Sequence, residues 1–207
     1  MAPLAPLFRD EGGQRLIRTT LSQEPPRFAS EVRARGEAYL RITPKPTADQ
    51  FKKRAYWKVA LPWLKTAYGN ICAFSSLWIP GQCSVDHFQP KAVRPDLAYE
   101  WSNYRLATDR INSNKGDSTR VLDPFQIQNG WFVLDLANLY VGPGAGLDAP
   151  TRAQVEETIK ILRLNDDVWV EIRFEVLRDF LNGTVALDFL QRRYPFIAAE
   201  VTRQTTV

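Results

Sequence analysis

The chain contains few of the residues on which several protein classes depend. Its 207 residues include one histidine, one methionine and two cysteines. The cysteines, Cys72 and Cys83, are too few for a disulfide framework, so we expect free thiols in a reducing compartment. No apolar run approaches the roughly 20 residues that a membrane-spanning helix needs. We therefore predict neither a disulfide-stapled scaffold nor a membrane partner.

The N-terminal segment and the composition also indicate the class of protein. The first residues, MAPLAPLFRDEGG, lack the basic start and the apolar segment of a secretory signal peptide. Hydrophobic residues make up 44% of the chain and six residues are tryptophan, which is enough for a core. The net charge of +4 is compatible with a polyanionic partner but does not identify one. We expect a globular, cytoplasmic protein.

Prolines and glycines divide the N-terminal part of the chain. Residues 1–24 mix charges with Pro and Gly, which predicts a loose arm. Residues 28–40 predict a short helix, in which Gly36 is an expected break. The prolines of residues 42–50 then predict a linker.

The next helix has the clearest periodicity in this half of the chain. Thr47 and Gln50 have the spacing of a capping box. Over residues 51–67 apolar side chains recur every four positions, which predicts a helix with one buried face. Pro62 is expected to kink or split this helix, and residues 69–70 (Gly-Asn) are expected to end it.

Beyond the central segment the sequence predicts a β-hairpin followed by helices. Asn129-Gly130 between two apolar runs is typical of a type I′ hairpin turn, and residues 141–150 are expected to be a loop. Thr151 and Gln154 predict a capping box for the first helix. The helices are predicted at residues 151–163, at 167–183 and from 186 onward, with an interruption at Pro195.

The segment from Cys83 to Asp117 concentrates polar side chains. Residues 84–88 and 101–107 predict two strands, and Thr108 or Asp109 can cap a short helix after them. Asp86 and His87, the only histidine, are adjacent within the first strand. Neighbouring strand residues point to opposite faces, so this pair shares one site only where the strand bends or ends. Pro90 is consistent with such an end.

These residue types suit metal-assisted phosphodiester hydrolysis. A neutral imidazole, with an ordinary pKa of about 6.5, is a natural general base near neutral pH. Carboxylate and amide oxygens are ligands for Mg²⁺ or Mn²⁺, and such an ion stabilises charge on a phosphate while the base activates a water. The cations available for phosphate contacts are Lys91, Arg94, Arg105, Arg110, Lys115 and Arg120.

Each of these residues alone also fits an ordinary structural role. A single histidine is commonly a hydrogen-bonded structural residue, asparagine is common in turns, and mixed charge is usually a solvated surface. The order and spacing of the whole group favour the functional interpretation.

The elements DH-x-x-P, W-x-N and N-x-x-KG, in this order within residues 83–117, resemble the HNH, or ββα-metal, endonuclease motif. The resemblance implies an α+β fold, in which a central ββα-metal motif is embedded in a mainly helical domain with an added β-hairpin. We predict one compact unit with three parts: an arm and helices (1–70), the nuclease core (71–122), and the hairpin with a C-terminal helical bundle (123–207).

The resemblance also implies roles for single residues. His87 matches the general base, and Asn103 matches the residue that holds the loop and orients that base through backbone hydrogen bonds. Asp86 and Asn112 match the ligands of one catalytic Mg²⁺ or Mn²⁺. The residues predicted to bind nucleic acid are Lys91, Arg105, Arg110 and Lys115, and Lys115 matches a phosphate-contacting position of the family.

The cysteines depart from the family pattern. Many HNH nucleases bind a structural zinc through two Cys-x-x-Cys pairs. Here Ser75 stands at the expected spacing after Cys72, while Thr108 and Ile111 stand where the second pair would fall. Four thiolates are absent, so we predict no structural zinc and expect the flanking helices to supply the stability.

A weaker resemblance covers most of the chain. The strings ICAF, VDHFQPK, YEWSNYRLA, LDPF and GWF are similar to HNH proteins encoded beside ATPases in bacterial anti-phage defence systems of the Septu and retron type. This resemblance implies an ATPase or another sensor subunit as a candidate partner.

The resemblance thus implies a metal-dependent DNA endonuclease that leaves a 5′-phosphate. Two alternatives stay open at this stage. One is a non-catalytic subunit for nucleic-acid binding or assembly that retains an HNH-like fold. The other is an RNase or a toxin nuclease.

Overall fold

The computed structural model describes residues 20–205 and has a mixed α+β fold with two small antiparallel sheets. None of the helices in this range combines the length and the apolar character needed to cross a membrane. The elements of the described range are α1 (Ala34–Ile42), α2 (Ala48–Lys53), α3 (Leu61–Ala67), β1 (Cys83–His87), β2 (Tyr104–Thr108), α4 (Asp109–Lys115), β3 (Phe132–Leu134), β4 (Val141–Pro143), α5 (Ala149–Leu162), α6 (Asp167–Leu181), α7 (Leu187–Arg193) and α8 (Pro195–Thr205).

The sheet that carries the central segment is a two-stranded ladder of β1 and β2. The strands pair antiparallel, with Cys83 opposite Thr108 at one end and His87 opposite Tyr104 at the other. Helix α4 follows β2 directly and packs against both strands. The loop 88–103 closes the other end of the ladder and contains two 3-10 turns, Pro95–Leu97 and Trp101–Asn103.

One hydrophobic cluster runs through the described chain from Phe28 to Val201. It includes residues of the N-terminal helices, of the β1–β2 ladder and of the C-terminal helices. At its N-terminal side the Phe28 ring lies edge-on to Trp101 and Tyr104, at centroid distances of 5.5 and 5.7 Å. The central segment is therefore enclosed by apolar packing from both flanking parts of the chain.

Several local predictions are confirmed. Thr47 and Gln50 form a complete capping box at the start of α2, and the Thr108 side chain accepts from the Ile111 amide at the start of α4. Gly69 and Asn70 both have positive φ, as expected where a helix ends. The stops at residues 182–183 and at Pro195 are also confirmed, because α6 ends at Leu181 and α8 begins at the proline.

The prediction of a helix over residues 51–67 that Pro62 kinks or splits is confirmed only in part, because the stretch is divided N-terminal to the proline. Helix α2 ends at Lys53, a 3-10 helix covers Tyr56–Ala60, and α3 begins at Leu61. Pro62 lies in the first turn of α3, where a missing amide hydrogen is no loss, so it marks a start rather than a kink. The 3-10 turn changes which side chains face inward: Val59 is 38% exposed, whereas Trp57 is buried.

The hairpin prediction at Asn129-Gly130 is also wrong. Strand β3 pairs with β4 further along the chain, within the predicted loop 141–150, and residues 135–140 connect them. Arg173 of α6 donates to the Leu139 carbonyl at 3.0 Å and holds this connection, in which Leu139 has φ 62°. Gly144 lies so close to the Gly130 carbonyl that a Cβ atom would come within 1.7 Å of its oxygen. Gly130 and Gly144 thus allow two segments of backbone to come close together.

The first C-terminal helix begins earlier than the predicted capping box. Asp148 is its N-cap and accepts from the Thr151 amide at 2.7 Å, and α5 starts at Ala149. Pro150 in the first turn favours this start, because its fixed φ suits a helix and it needs no hydrogen-bond acceptor. Val155, Thr158 and Leu162 form the buried face of α5.

The predicted loose arm lies mostly outside the described residues. Of residues 1–24, only 20–24 are described, and these are bonded to the body of the protein. The Ser22 amide donates to the Tyr68 hydroxyl at 3.1 Å, and the Trp101 indole donates to the Ser22 carbonyl at 2.9 Å. The end of the arm is therefore held in place.

The predicted break at Gly36 does not occur. A π-helical turn, Ala29–Arg33, leads directly into α1, which continues through Gly36. The glycine is buried against the Tyr99 ring, and a Cβ atom at this position would lie 2.1 Å from Tyr99 Cγ. Close approach of the ring, rather than helix termination, explains the glycine.

We expect Gly36→Ala to destabilise the fold by about 1–3 kcal/mol in urea-induced unfolding. Alanine is the better helix former by about 1 kcal/mol, so net destabilisation requires the clash with Tyr99 to prevail. Gly81→Ala is the matched control, because a Cβ atom at that position would meet no other atom within 4 Å. A stabilised Gly36→Ala protein would contradict the steric explanation.

Candidate active site

One face of β1 packs against one face of α4. Ser84 and Asp86 are two residues apart on the strand and share a face, while Asn112 and Lys115 are three residues apart on the helix and share another. The Asn112 side-chain amide donates to Ser84 Oγ at 2.9 Å, and Lys115 Nζ donates to Asp86 Oδ1 at 3.0 Å. The two pairs of polar side chains thus meet across the strand–helix interface.

Asp86 and Lys115 form a buried ion pair. Their relative exposures are 1% and 2%. Burial raises the pKa of Asp86, and the nearby Lys115 ammonium opposes this rise. Lys115 Nζ also donates to the His87 carbonyl at 2.8 Å. Asp86 Oδ2 is buried and has no hydrogen-bond partner among residues 20–205, so one carboxylate oxygen is left unpaired by the protein.

His87 is the last residue of β1, and its side chain lies among aromatic rings. The imidazole is edge-on to Trp57 and Tyr104, at centroid distances of 4.9 and 5.2 Å. Its Nε2 lies 2.9 Å from the Ala98 carbonyl oxygen. A carbonyl can only accept, so Nε2 carries the proton and Nδ1 carries the lone pair.

Burial and the neighbouring Lys91 ammonium hold the pKa of His87 well below its usual value. The imidazole is therefore neutral at pH 7, which is the form that can accept a proton. Lys91 Nζ lies 3.2 Å from His87 Nδ1, so the ammonium donates to the lone pair. The basic nitrogen is thus present but is engaged by a lysine.

Lys91 connects the two sides of the site. Its ammonium lies 4.9 Å from the centroid of the Trp57 ring, and partial burial lowers its pKa, while Asp86 and Asp117 oppose that shift. The same lysine therefore contacts His87 and lies in the field of Asp86. Asp86 and His87 are neighbours on a strand and so lie on different faces of β1. Both nevertheless lie in the electrostatic field of the Lys91 and Lys115 ammonium groups.

Asn103 fixes the loop that contacts His87. Its Oδ1 accepts from the Gln89 amide at 2.7 Å, and its Nδ2 donates to the carbonyls of Gln89 and Leu97, each at 3.0 Å. These bonds join the beginning of the loop 88–103 to its middle. Ala98, whose carbonyl holds the imidazole, follows Leu97 directly, so the asparagine positions the histidine through the loop backbone.

Two predicted nucleic-acid residues are already paired with carboxylates. Arg105 is buried and binds both oxygens of Asp123, with its guanidinium 3.6 Å from the Phe125 ring centroid. Arg110 is exposed and bonded to Asp166 at 2.8 Å. Arg105 lies opposite Asp86 on β2 and adds to its field, but it is not accessible for the phosphate contact predicted for it.

Lys115 is also inaccessible for the phosphate contact predicted for it. A fully buried ammonium that is bonded to Asp86 and to a backbone carbonyl does not reach the surface where a phosphate would bind. In this structure Lys115 is the counter-ion of Asp86. Of the predicted nucleic-acid residues, Lys91 is the one that lies beside His87 and is only partly buried.

The cysteines take no part in the site. Cys72 is buried and Cys83 is partly buried at the start of β1, and both are free thiols. Ser75, at the expected knuckle spacing, is also buried. Within residues 20–205 there is no group of three His, Cys, Asp or Glu side chains that could hold a metal ion.

The oxygens of Asp86 and Asn112 are of the chemical type that suits a weakly held Mg²⁺ or Mn²⁺ rather than a metal enclosed by protein ligands. The orphaned Asp86 Oδ2 is a suitable anionic ligand. Asn112 uses its amide nitrogen towards Ser84, which leaves its amide oxygen as a second donor. Mg²⁺ is commonly bound through one or two carboxylates, with waters and substrate phosphates completing the shell.

Trp57 and Ala98 belong to the site but were not predicted. The Ala98 contribution is a backbone carbonyl, which no side-chain pattern indicates. Trp57 reaches His87 because a 3-10 turn replaces the regular helix expected there. Three residues per turn, rather than 3.6, would have indicated Trp57 and Ala60 as the inward pair.

Comparison with models of known protein families and with curated proteins finds no match. Function is therefore inferred from the geometry and chemistry of the side chains. These include a neutral buried imidazole, a carboxylate with one unpaired oxygen and two lysine ammonium groups within one strand–loop–strand–helix segment.

We expect the free energy of unfolding to fall with acidity below about pH 6.5 because of His87. Its folded pKa is depressed, so the stabilising neutral state is fully present above the unfolded pKa of about 6.5 and is lost as the pH falls towards the folded pKa. Urea unfolding should lose about 1.4 kcal/mol per pH unit in this window. His87→Gln should remove this slope, since the chain has no other histidine. An unchanged slope in the variant would disprove the assignment.

Proposed function

We propose that this protein is a metal-dependent endonuclease of the HNH type that hydrolyses phosphodiester bonds in DNA. The observation that carries the proposal is the neutral, buried imidazole of His87, held through Nε2 by the Ala98 carbonyl so that Nδ1 is the basic nitrogen. The order of β1, β2 and α4, with Asp86 beside the histidine and Asn112 on the helix, supports the resemblance seen in the sequence.

In the proposed reaction His87 Nδ1 accepts a proton from a water molecule. The water oxygen attacks phosphorus, the bond from phosphorus to the 3′ oxygen breaks, and the products carry a 5′-phosphate and a 3′-hydroxyl. The leaving oxygen takes a proton from solvent. Lys91 must release Nδ1 before this step, and a substrate phosphate is a stronger partner for its ammonium than a neutral imidazole.

Asp86 Oδ2 and the amide oxygen of Asn112 would hold the divalent cation. When bound, Mg²⁺ or Mn²⁺ stabilises the charge that develops on the phosphate and the leaving oxygen. Lys115 holds the Asp86 carboxylate in position through Oδ1 and leaves Oδ2 available. Asn103 acts as a positioning residue, because it orders the loop whose carbonyl orients His87.

A second candidate is a non-catalytic DNA-binding or assembly subunit. The observation that favours it is the engagement of both key groups by lysines, Lys115 on Asp86 and Lys91 on His87. Divalent-metal titration separates the two functions, because only the nuclease requires metal for its activity. RNA offered beside DNA in the same assay tests the RNase alternative. The ATPase or sensor partner implied by the resemblance is not needed for this chemistry and stays a prediction.

We expect His87→Ala to lose cleavage of DNA by at least about 100-fold in Mg²⁺ or Mn²⁺, the usual contribution of a general base. Plasmid nicking and release of 5′-phosphate ends measure the loss. Ser113→Ala, an exposed change on α4, is the control. Full cleavage by a correctly folded His87→Ala protein would refute the assigned mechanism.

We expect Asn112→Ala to raise the metal concentration for half-maximal cleavage by about 10-fold or more, because an oxygen ligand is lost. Ser84→Ala is a sharper control than a surface change. It removes the same Asn112–Ser84 hydrogen bond but retains the amide oxygen. Equal shifts in the two variants would assign Asn112 a purely structural role.

A further inference from the structure

A basic segment lies directly beside the candidate active site. Residues 52–58, KKRAYWK, contain four cations and no carboxylate. Lys53, Arg54 and Lys58 are exposed, whereas Trp57 is buried. The segment covers the end of α2 and most of the 3-10 helix, and we call it the basic turn.

The basic turn is attached to the site through Trp57. The indole ring contacts His87 at a centroid distance of 4.9 Å and receives the Lys91 ammonium at 4.9 Å. Lys58 is the next residue, so its exposed side chain projects from the backbone that carries the tryptophan. The exposed cations are thus carried by the same turn of backbone as the ring that contacts His87.

A second contact ties the basic turn to the loop 88–103. The Tyr99 hydroxyl donates to the Arg54 carbonyl at 2.9 Å, and the Tyr99 ring lies 5.8 Å from Trp57. Tyr99 is the neighbour of Ala98, whose carbonyl orients the imidazole. The basic turn and the loop 88–103 therefore pack against each other.

The cations of the basic turn differ from those of the C-terminal helices in their pairing. Arg163, Arg178 and Arg192 each bond to a carboxylate three or four residues away. Lys53, Arg54 and Lys58 form no ion pair with any carboxylate in the described range, and Lys52 has only a long contact of 3.4 Å to Asp49. Three of the four cations of the basic turn therefore have no carboxylate partner within residues 20–205.

We propose that the basic turn binds the phosphodiester backbone of DNA and directs a strand to His87. Charge complementarity and the direct Trp57–His87 contact argue for this occupant, since a cation next to the reacting group is best placed to hold a neighbouring phosphate. The proposal rests on the proposed function for the choice of DNA. It adds a binding surface that lies outside residues 83–117.

The test measures DNA binding and cleavage separately. In the His87→Ala background, the triple change Lys53→Gln, Arg54→Gln and Lys58→Gln should weaken binding to a fluorescent DNA duplex by about 10-fold or more near 0.1 M salt. The slope of log affinity against log salt should fall by about 2 to 3, as each lost phosphate contact removes about 0.9. Single-stranded DNA and RNA of equal length identify which backbone is preferred.

A matched triple change, Lys160→Gln, Arg178→Gln and Arg192→Gln, removes the same charge from the C-terminal helices. Equal weakening in both triples would overturn the proposal, because net charge alone would explain it. Tighter binding of RNA than of DNA would overturn the choice of DNA, and absence of binding would overturn the surface itself. Selective loss in the basic-turn variant without cleavage by the wild type would retain the surface and reject the nuclease function.

Discussion

The buried ammonium of Lys115 is the interaction on which the site depends. It donates to the Asp86 carboxylate and to the His87 carbonyl, and so fixes the end of β1 to the last turn of α4. A buried charge without its partner typically costs 3–5 kcal/mol, roughly the loss expected here if either member were removed. Beyond the larger effect of burial, the Lys115 ammonium also lowers the pKa of His87 and of Lys91. The ion pair therefore fixes Asp86 directly, and it holds the backbone of His87, whose ring is oriented by the Ala98 carbonyl.

Some short-range signals in the sequence predicted this fold correctly. Capping at Thr47 and Thr108 involves bonds over three residues, and the strand–loop–strand–helix order of the central segment involves neighbouring elements. The pairing of β3 was not predictable in this way. Its partner lies beyond a loop held by Arg173 of α6, and the glycine turn that suggested a hairpin serves a close approach of Gly130 and Gly144 instead. Such contacts form only when distant parts of the chain meet.

The same distinction applies to the candidate site. Asp86, His87, Asn103 and Asn112 lie in one contiguous segment, so their proximity could be expected from the order of elements. Burial could not be expected from the sequence, because it depends on what covers the segment. Lys115 and Arg105 look like surface cations in the sequence, yet each is enclosed with a carboxylate partner. Trp57, which comes from a separate part of the chain, completes the wall around the imidazole.

The Ala98 carbonyl accepts two hydrogen bonds, one from His87 Nε2 and one from the Tyr104 hydroxyl, each at 2.9 Å. A carbonyl oxygen has two lone pairs, so its accepting capacity is filled. Nε2 therefore has no route by which to pass its proton onward. In the proposed reaction, a proton taken up at Nδ1 therefore has to leave from Nδ1, on the side of the ring where Lys91 lies. The proposed base can exchange its proton through one nitrogen only, and Lys91 is the side chain that contacts this nitrogen.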